Sequence, residues 1–418
     1  MRSKLWRLLA LFAVFGLLAA ACSSSDDGDG DSDASSDGDG EAAGLVLARI
    51  MPETGSLAFL GPPQIEGIGL AVEDINAAGG VLGEDVTLLT ADEGDQADVV
   101  VESANRVLGE GAHAVVGTAA SGQNQEILQT LFDEEIPSCS ASNTSPAFTD
   151  QDNAGFYSRT VPPDEAVSPI IADTVVGDGH TAVVVIARQD DYGEALQGLV
   201  VSALEDQGVT VTSVSYDPDA ATFDAEVTEA LGSGATAGVL ISFDEGAAII
   251  AGLIEGGMDP AGLYGADGLF SPSLPGLVDP ENDAVIDGMK VIGASGGAAF
   301  NERLAALTEN NLIYGGQAYD CGIILALAAE SVGSTSFTQA DVIAVTEGGT
   351  VCESFEDCAG LLADGEDIDY DGVSGPLDLT TSGGSADPTF GRYGIGEYQD
   401  GGTLVVTSEQ DVDVTTLG

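Results

Sequence analysis

Residues 45–90 read LVLARIMPETGSLAFLGPPQIEGIGLAVEDINAAGGVLGEDVTLLT. The short apolar runs at 45–50 and 86–90 predict two strands buried on both faces, because half-exposed strands would alternate apolar and polar residues more strictly. Between these runs apolar residues recur at helical spacing, and Gly79-Gly80 ends the predicted helix. Those apolar residues are Ile65, Ile68, Val72 and Ile75. The stretch therefore predicts a strand–helix–strand unit.

The same alternation of apolar runs and helical stretches continues along the chain. Further strands are predicted at Ala114–Gly117, Ala182–Ala187, Val209–Val214, Gly238–Ser242 and Met289–Gly293. Strands that alternate with helices predict an α/β fold with parallel sheets. Three breaks interrupt the alternation, at Thr160–Pro163, Gly293–Gly297 and Gly383–Pro388. They predict two Rossmann-like lobes between which the chain crosses repeatedly.

The composition excludes several classes of function. The 418 residues include 10 Lys+Arg against 70 Asp+Glu, a formal net charge of −60. Contacts to nucleic-acid phosphates need clustered basic residues, and Lys4 and Lys290 are the only lysines. We therefore expect no binding to nucleic acid, and the same charge would repel an anionic membrane surface. Hydrophobic residues make up 44% of the chain, which is enough for real cores and excludes wholesale disorder.

The first 43 residues predict an exported and lipid-anchored protein. Three basic residues precede the apolar run Leu8–Ala21, which is shorter than the ~20 residues that a membrane-spanning helix needs. Residues 1–21 are therefore a predicted lipoprotein signal peptide, with Cys22 as the lipidation site and an uncleaved membrane anchor as the alternative. Ala19 stands where such signals prefer Leu. Residues 22–43, rich in Ser, Asp and Gly, are a predicted acidic, flexible tether.

The four remaining cysteines fit an oxidising, extracytoplasmic setting. Cys352 and Cys358 enclose a short acidic loop and are predicted to form one disulfide. Cys139 and Cys321 would form the other by elimination, and buried free thiols are the alternative. A zinc site is disfavoured, because the sequence has neither paired C-x-x-C motifs nor a nearby histidine.

Small polar residues follow several predicted strands, where parallel α/β sheets bind ligands. These segments are Thr54–Ser56, Thr118–Gly122, Ser140–Thr144, Arg188–Tyr192, Ser242–Glu245 and Asp267. Hydroxyl groups and glycines ahead of a helix can hold a carboxylate through backbone N–H groups. Helix capping uses the same residue types and is the alternative for any single loop. Several such loops in one α/β body favour a binding site.

The sequence does not favour an enzyme. Gly293–Gly297 matches the G-x-S-x-G pattern, but the hydrolase order requires a histidine after Ser295, and His113 and His180 both precede it. No H-E-x-x-H, Walker A or complete G-x-G-x-x-G motif occurs. We therefore expect no catalysis, no cofactor and no metal ion.

Several motifs of this chain resemble the Leu/Ile/Val-binding-protein family, the substrate-binding proteins of ABC importers with a type I periplasmic-binding fold. The most specific are EDINAAGG at 73–80 and SASNTSP at 140–146. The resemblance extends from Leu45 to about Gly396. Its other carriers are Gly55–Gly61, YSRTVPPD at 157–164, Asp191–Gly193 and Gln317–Asp320.

The resemblance implies two α/β lobes, joined by a three-segment hinge, that close on a ligand like a hinged trap. Lobe 1 would comprise 44–162 plus 294–387, and lobe 2 would comprise 163–293 plus 388–418. The implied ligand-binding residues of lobe 1 lie on two loops after its strands. They are Ser121, Gly122, Ser142, Asn143 and Thr144.

The resemblance also implies ligand contacts from three other parts of the chain. Tyr192 and Phe243 of the second lobe would close over the ligand. Asp267 falls where amino-acid binders place the acidic partner of the α-ammonium group, and a buried carboxylate needs such a cation. Tyr314 would lie beside the side chain of the ligand.

The function implied by the resemblance is that of an extracytoplasmic solute-binding lipoprotein of an ABC importer. It would capture a small zwitterion, a branched-chain or other aliphatic amino acid, by lobe closure. It would work as a monomer, held at the cell membrane by the lipid on Cys22, and would deliver the ligand to ABC permease subunits. The alternatives are a ligand-sensing receptor of the same fold and a binder of amides or urea.

Overall fold

A computed structural model describes residues 44–152 and 155–417 of the chain. The predicted signal peptide at 1–21, the lipidation site Cys22 and the tether at 22–43 lie outside these residues. Within the described part of the chain, no helix has both the length and the apolar composition that crossing a membrane requires.

The strands and helices alternate along most of the described chain. The strands are β1 Val46–Met51, β2 Thr87–Asp92, β3 Ala114–Gly117, β4 Ser138–Ser140, β5 Tyr157–Arg159, β6 Ala182–Arg188, β7 Thr210–Tyr216, β8 Ala237–Ile241, β9 Leu263–Gly265, β10 Lys290–Ala294, β11 Thr350–Cys352, β12 Ile368–Gly372, β13 Gly375–Pro376, β14 Phe390–Gln399 and β15 Thr403–Asp413. The α-helices are α1 Gly61–Ala77, α2 Ala97–Gly109, α3 Ser121–Asp133, α4 Ala147–Asp150, α5 Ser168–Gly177, α6 Gly193–Asp206, α7 Asp224–Gly232, α8 Gly246–Glu255, α9 Leu274–Val278, α10 Ala298–Ala305, α11 Gly315–Val332, α12 Gln339–Ala344 and α13 Phe355–Ala363. Every predicted apolar run forms a strand, with ends within two residues of the predicted ones.

The first sheet is parallel and has the order β2-β1-β3-β4-β5. Every residue of β3 is buried, as expected for a strand covered on both faces. Strand β4 was not predicted, because two of its three residues are serines. Its polar side chains are buried with partners: the Ser140 hydroxyl donates to the carbonyl oxygen of Thr118 at 2.7 Å. A buried hydroxyl with such a partner costs little.

The second sheet has the order β15-β14-β10-β9-β8-β6-β7. The five strands β10, β9, β8, β6 and β7 are parallel to one another. Strand β14 pairs antiparallel with both β10 and β15. The sequence alone did not predict this antiparallel edge. Strand β15 is largely exposed, because it pairs on one side with β14 and lies at the edge of the sheet. A small third sheet has the order β11-β12-β13.

Helix α11 lies in the core and ties the later part of the chain to the first sheet. It packs against α1, α13, β3 and β4, and its residues from Gly315 to Ala329 are all buried. Helices α1 and α11 approach closely at Gly67, where a Cβ atom would lie 2.2 Å from the carbonyl oxygen of Gly315. Any larger residue at Gly67 would therefore push the two helices apart.

Both predicted disulfides are formed. Cys139 on β4 is bonded to Cys321 on α11, and Cys352 is bonded to Cys358. The first bond joins segments that are 182 residues apart in the sequence. The parallel strands of the second sheet, β6 to β10, come between these two segments in chain order. The chain passes between the two sheets after β5, after β10 and before β14. The lobe limits at 162, 293 and 387 stay predictions; those at 162 and 387 fall in these passages, whereas Gly293 lies inside β10.

Candidate ligand-binding site

Loops at the carboxyl ends of strands from both sheets meet around a small cavity of about 10 Å³. This is room for about one water molecule, so the two sides of the cleft are close to contact. The cavity is lined by Leu57, Leu60, Ala119, Ala120, Ser121, Ser142, Tyr192, Phe243, Asp267 and Gly268. A larger cavity of about 830 Å³ lies between α10 and the β14–β15 hairpin and includes none of the predicted site residues.

Apart from Leu57 and Leu60, the first-sheet side of the cavity consists of small residues with hydroxyl and backbone groups. Ser121 begins α3, and its hydroxyl oxygen accepts a hydrogen bond from the backbone N–H of Ser145 at 3.3 Å. The Ser142 hydroxyl lies 3.0 Å from the carbonyl oxygen of Ala119 and 3.1 Å from Oε1 of Gln64, so it donates to one of these two acceptors. Both serines line the cavity, and their role in ligand binding stays a prediction.

Three other predicted residues of this side do not line the cavity. Asn143 lies behind the loop: its Nδ2 donates to the carbonyl oxygen of Ala119 at 2.8 Å, and its Oδ1 accepts from the Tyr157 hydroxyl at 2.9 Å. Gly122 lies in the first turn of α3 and is half-buried. Thr144 is buried, and its hydroxyl has no hydrogen-bond partner. The sequence identified loops that meet at the cavity, but three of its five residues on this side do not face it.

Asp267 supplies the charge of the second-sheet side. It is 7% exposed, and its Oδ1 accepts a hydrogen bond from the Tyr192 hydroxyl at 2.6 Å. The Tyr314 hydroxyl donates to Oδ2. Burial raises the pKa of Asp267, although both tyrosine hydroxyls favour its ionised form. Tyr314 thus contacts Asp267 from the start of α11 and is not itself part of the cavity lining.

Phe243 closes the same side and is held by two neighbours. Its ring stacks on Tyr192, with centroids 5.5 Å apart, and the Arg188 guanidinium lies 3.6 Å from its centroid. Arg188 is ion-paired with Asp190 at 2.5 Å and with Glu245 at 2.8 Å. The guanidinium is therefore committed to the protein and supports the aromatic wall instead of offering a free positive charge.

Asp164 is a buried carboxylate that the sequence interpretation missed. It lies in the first passage between the sheets, is 1% exposed, and neither of its oxygens has a hydrogen-bond partner. Burial, and then the nearby charge of Asp267, raises its pKa well above the usual range. The residue stands in the YSRTVPPD motif, but that stretch was interpreted only as a carrier of the resemblance and as a break between lobes. Its position before a helix and next to two prolines gave no sign of its burial.

The nearby Arg159 does not hydrogen-bond Asp164, because its donors are already used, although its charge opposes the rise in the pKa of Asp164. It is fully buried and forms two hydrogen bonds with Asp387, at 2.8 and 2.9 Å. Its remaining nitrogen donates to the carbonyl oxygens of Asn143 and Ser145. In the described part of the chain, neither Asp164 nor Asp267 forms an ion pair, and burial favours the neutral form of both carboxyl groups.

The groups considered for catalysis or metal binding have structural partners. The Ser295 hydroxyl lies 2.9 Å from Oε1 of Glu409, and His113 accepts a hydrogen bond from the backbone N–H of Val46 at 3.0 Å. His180 packs edge-on against Tyr264. Within residues 44–152 and 155–417, no cluster of three His, Cys, Asp or Glu residues is arranged to hold a metal ion.

The fold and the cleft between its two sheets are those of a binding protein that encloses a solute, and comparison with known proteins agrees. A family model described as "Periplasmic binding protein" matches residues 46–389. The chain therefore belongs to the family of periplasmic binding proteins, which are extracytoplasmic binding proteins.

The sequence identity to individual related proteins is modest. "Leu/Ile/Val-binding protein homolog 3" of Brucella melitensis is 30% identical over 197 residues, which is 46% of this chain and 53% of that protein. The chain thus spans about half the length of the curated relatives it matches. A leucine-binding protein LivK of Thermotoga maritima has a TM-score of 0.72 at 19% identity and covers 87% of this chain and 98% of its own. LivJ of Streptococcus pneumoniae, in complex with isoleucine, has a TM-score of 0.70 at 19% identity and covers 88% and 99%. These structures share the fold.

Proposed function

We propose that this chain is an extracytoplasmic solute-binding lipoprotein of an ABC importer, held at the cell membrane by a lipid on Cys22. It acts as a monomer, closes its two lobes on the ligand and hands the ligand to permease subunits. The ligand is a small zwitterion, a branched-chain or other aliphatic amino acid. No reaction is catalysed.

The observation that carries the proposal is the opposite chemistry of the two sides of the cavity. Backbone N–H and hydroxyl groups at the start of α3, around Ser121, suit a carboxylate, because a helix N-terminus favours negative charge. Asp267 on the other side suits an ammonium group, because a buried carboxylate without a cation is costly. An α-amino acid carries both groups on adjacent atoms.

The charges and the apolar lining narrow the ligand further. Arg159 and Arg188 are both committed to protein carboxylates, so a ligand with a second carboxylate would lack a partner for it. Leu57, Leu60 and Phe243 offer apolar surface to an aliphatic side chain. The names of the relatives, which include Leu/Ile/Val-binding proteins, support the same ligand class.

Calorimetry on the full chain in mild detergent tests the proposal, after unfolding and refolding have removed any carried-over ligand. Leucine, isoleucine and valine are expected to bind with micromolar or lower Kd, and glutamate at least about tenfold more weakly because its second carboxylate is unpaired. Binding of acetamide or urea instead would keep the fold and discard the zwitterion. Absence of binding to all of these by well-folded protein would contradict the proposed ligand class.

A further inference from the structure

Glu93 is a fully buried carboxylate that holds the loop leading to Ser121. It follows β2, and its two oxygens accept hydrogen bonds from consecutive backbone N–H groups. The nitrogen of Ala119 lies 2.7 Å from Oε2, and the nitrogen of Ala120 lies 2.8 Å from Oε1. Both alanines line the cavity, and Ser121 is the next residue. The Glu93 carboxylate therefore fixes the backbone on the hydroxyl-rich side of the cleft.

The carbonyl groups of this loop are held separately, by uncharged side chains. The Ser140 hydroxyl donates to the carbonyl oxygen of Thr118 at 2.7 Å, and Nδ2 of Asn143 donates to that of Ala119 at 2.8 Å. The loop is thus fixed through its carbonyl groups from one direction and through its N–H groups from another. Glu93 is the member of this arrangement whose hydrogen bonding changes with protonation.

No positive charge balances Glu93 among the groups that act on it. The neighbouring charges are Asp92 and Asp95 of the same segment, and the loop at 119–120 contributes two N–H dipoles. Asp92 and Asp95 in turn accept hydrogen bonds from backbone N–H groups of the segment 53–56. Burial raises the pKa of Glu93 to about 8; the two N–H groups oppose this rise, and Asp92 and Asp95 add to it.

Protonation of Glu93 would make its two oxygens unequal as hydrogen-bond acceptors. A carboxylate has acceptor positions for both N–H groups, whereas a carboxylic acid turns one oxygen into an O–H donor. One of the two N–H groups then faces a hydroxyl oxygen, which is a weaker acceptor than a carboxylate oxygen and carries a proton that needs an acceptor of its own. The weaker contact holds the loop less firmly.

We propose that Glu93 is a positioning residue for ligand binding. Its ionised carboxylate holds Thr118–Ser121 in the geometry that receives the carboxylate of the ligand, and protonation of Glu93 weakens binding. This inference rests on the proposed function, because it takes that loop as one side of the ligand site. The role could not be read from the sequence, where Asp92, Glu93 and Asp95 form an acidic segment that resembles a solvated turn.

The test is the Kd for leucine from pH 6 to pH 9, measured with the full chain, with Glu93→Gln and with Glu102→Gln. Glu102 is an exposed residue of α2 and gives the matched control. The ratio of the Glu93→Gln Kd to the wild-type Kd is expected to rise from less than about threefold at pH 6 to at least about tenfold at pH 9. The rise occurs because the wild type has its ionised carboxylate only at the higher pH.

Asp164 and Asp267 titrate in both proteins, so their effect on the Kd cancels in the ratio. The Glu102→Gln ratio is expected to stay near one. A Glu93→Gln ratio that does not change with pH, or that is near one at pH 9, would overturn the proposal. Glu93→Asp keeps the charge and is expected to retain a pH-dependent affinity with weaker binding throughout.

A second measurement needs neither ligand nor variant. The amide resonances of Ala119 and Ala120 in the wild type are expected to shift with pH as Glu93 ionises, while amides of the exposed face of α2 do not. If these resonances do not titrate, the loop contact is refuted whatever the protein binds. If they titrate but no amino acid binds, the proposed function and the ligand-positioning role both fail, and the loop contact alone stands.

Discussion

Apart from Leu57 and Leu60, the first sheet approaches the cavity with small residues and backbone groups, whereas the second sheet approaches it with the aromatic rings of Tyr192 and Phe243 and the carboxyl group of Asp267. On the first side the polar groups are fixed by hydrogen bonds from neighbouring loops, as the Ser142 hydroxyl shows. On the second side a buried charge is held by two tyrosine hydroxyls, from Tyr192 and Tyr314. The difference suggests that backbone position controls recognition on one side and charge on the other.

The largest expected effect comes from removing the charge. In Asp267→Asn the side chain keeps its shape but cannot balance an ammonium group, so the affinity for leucine is expected to fall about 100-fold. Calorimetry measures the loss, and an unchanged circular dichroism spectrum serves as the folding control. If the affinity falls less than about threefold, Asp267 does not bind the ammonium group.

The Asp267→Asn variant also predicts how the affinity for leucine changes with pH. Asp267 attracts a cation only when it is ionised, and burial raises its pKa, so protons compete with the ligand as the pH falls. The difference between wild type and Asp267→Asn is therefore expected to be largest at neutral and alkaline pH and to shrink as the pH is lowered. A difference that grows towards acidic pH would contradict this assignment.

A smaller effect is expected on the first-sheet side. Ser142→Ala removes the hydroxyl that donates to Ala119 or Gln64, and the affinity for leucine is expected to fall about tenfold because the loop loses one of its supports. Ser233→Ala, at the end of α7 and outside the cavity, serves as the control. Equal binding by wild type and Ser142→Ala would show that this hydroxyl does not support the site.

Tyr192→Phe is expected to have a smaller effect still. The ring keeps its stacking on Phe243, and Asp267 keeps the hydrogen bond from Tyr314 while losing that from Tyr192. A reduction in affinity of about threefold is expected, because one of two hydroxyl donors to the carboxylate is lost. A reduction as large as that of Asp267→Asn would mean that the Tyr192 hydroxyl contacts the ligand itself.

The smallest expected effect is the coupling between the two sides. If the two sides bind opposite ends of the ligand, the double variant Ser142→Ala/Asp267→Asn should lose the sum of the two single losses in binding free energy. The expected deviation is about 0.5 kcal/mol, the lower end of the range for residues that share a cavity. A larger coupling energy would mean that both sides act on the same ligand group.

The sequence predicted much of the fold because its central strands are continuous apolar runs. Strand β3 is one example, because its four residues, AVVG, form a continuous run without a polar side chain, which is typical of a buried strand. Strand β4 was missed because Ser138 and Ser140 are buried only through partners that other segments supply. The β14–β15 hairpin was missed because β14 has several glycines and β15 is exposed, so neither has the pattern of a buried strand.

The candidate site was predictable to the level of the loop. Ser121, Ser142, Tyr192, Phe243 and Asp267 reach the cavity because they follow strands whose carboxyl ends converge. The direction of each side chain depends on packing, which is why Asn143 lies behind its loop. Asp164 and Glu93 escaped notice because a buried carboxylate and a solvated one look alike in a chain with 70 acidic residues.

The Cys139–Cys321 bond also sets an order of events during biosynthesis. The chain emerges from its N-terminus, so the strands of the first sheet are available before any of the second. Cys139 must nevertheless wait for 182 further residues before its partner exists. The sheet that is begun first is therefore covalently completed late, after β6 to β10 have been made. Until then Cys139 is a free thiol without its native partner, and an oxidative folding catalyst that acts too early would have no native pair to form.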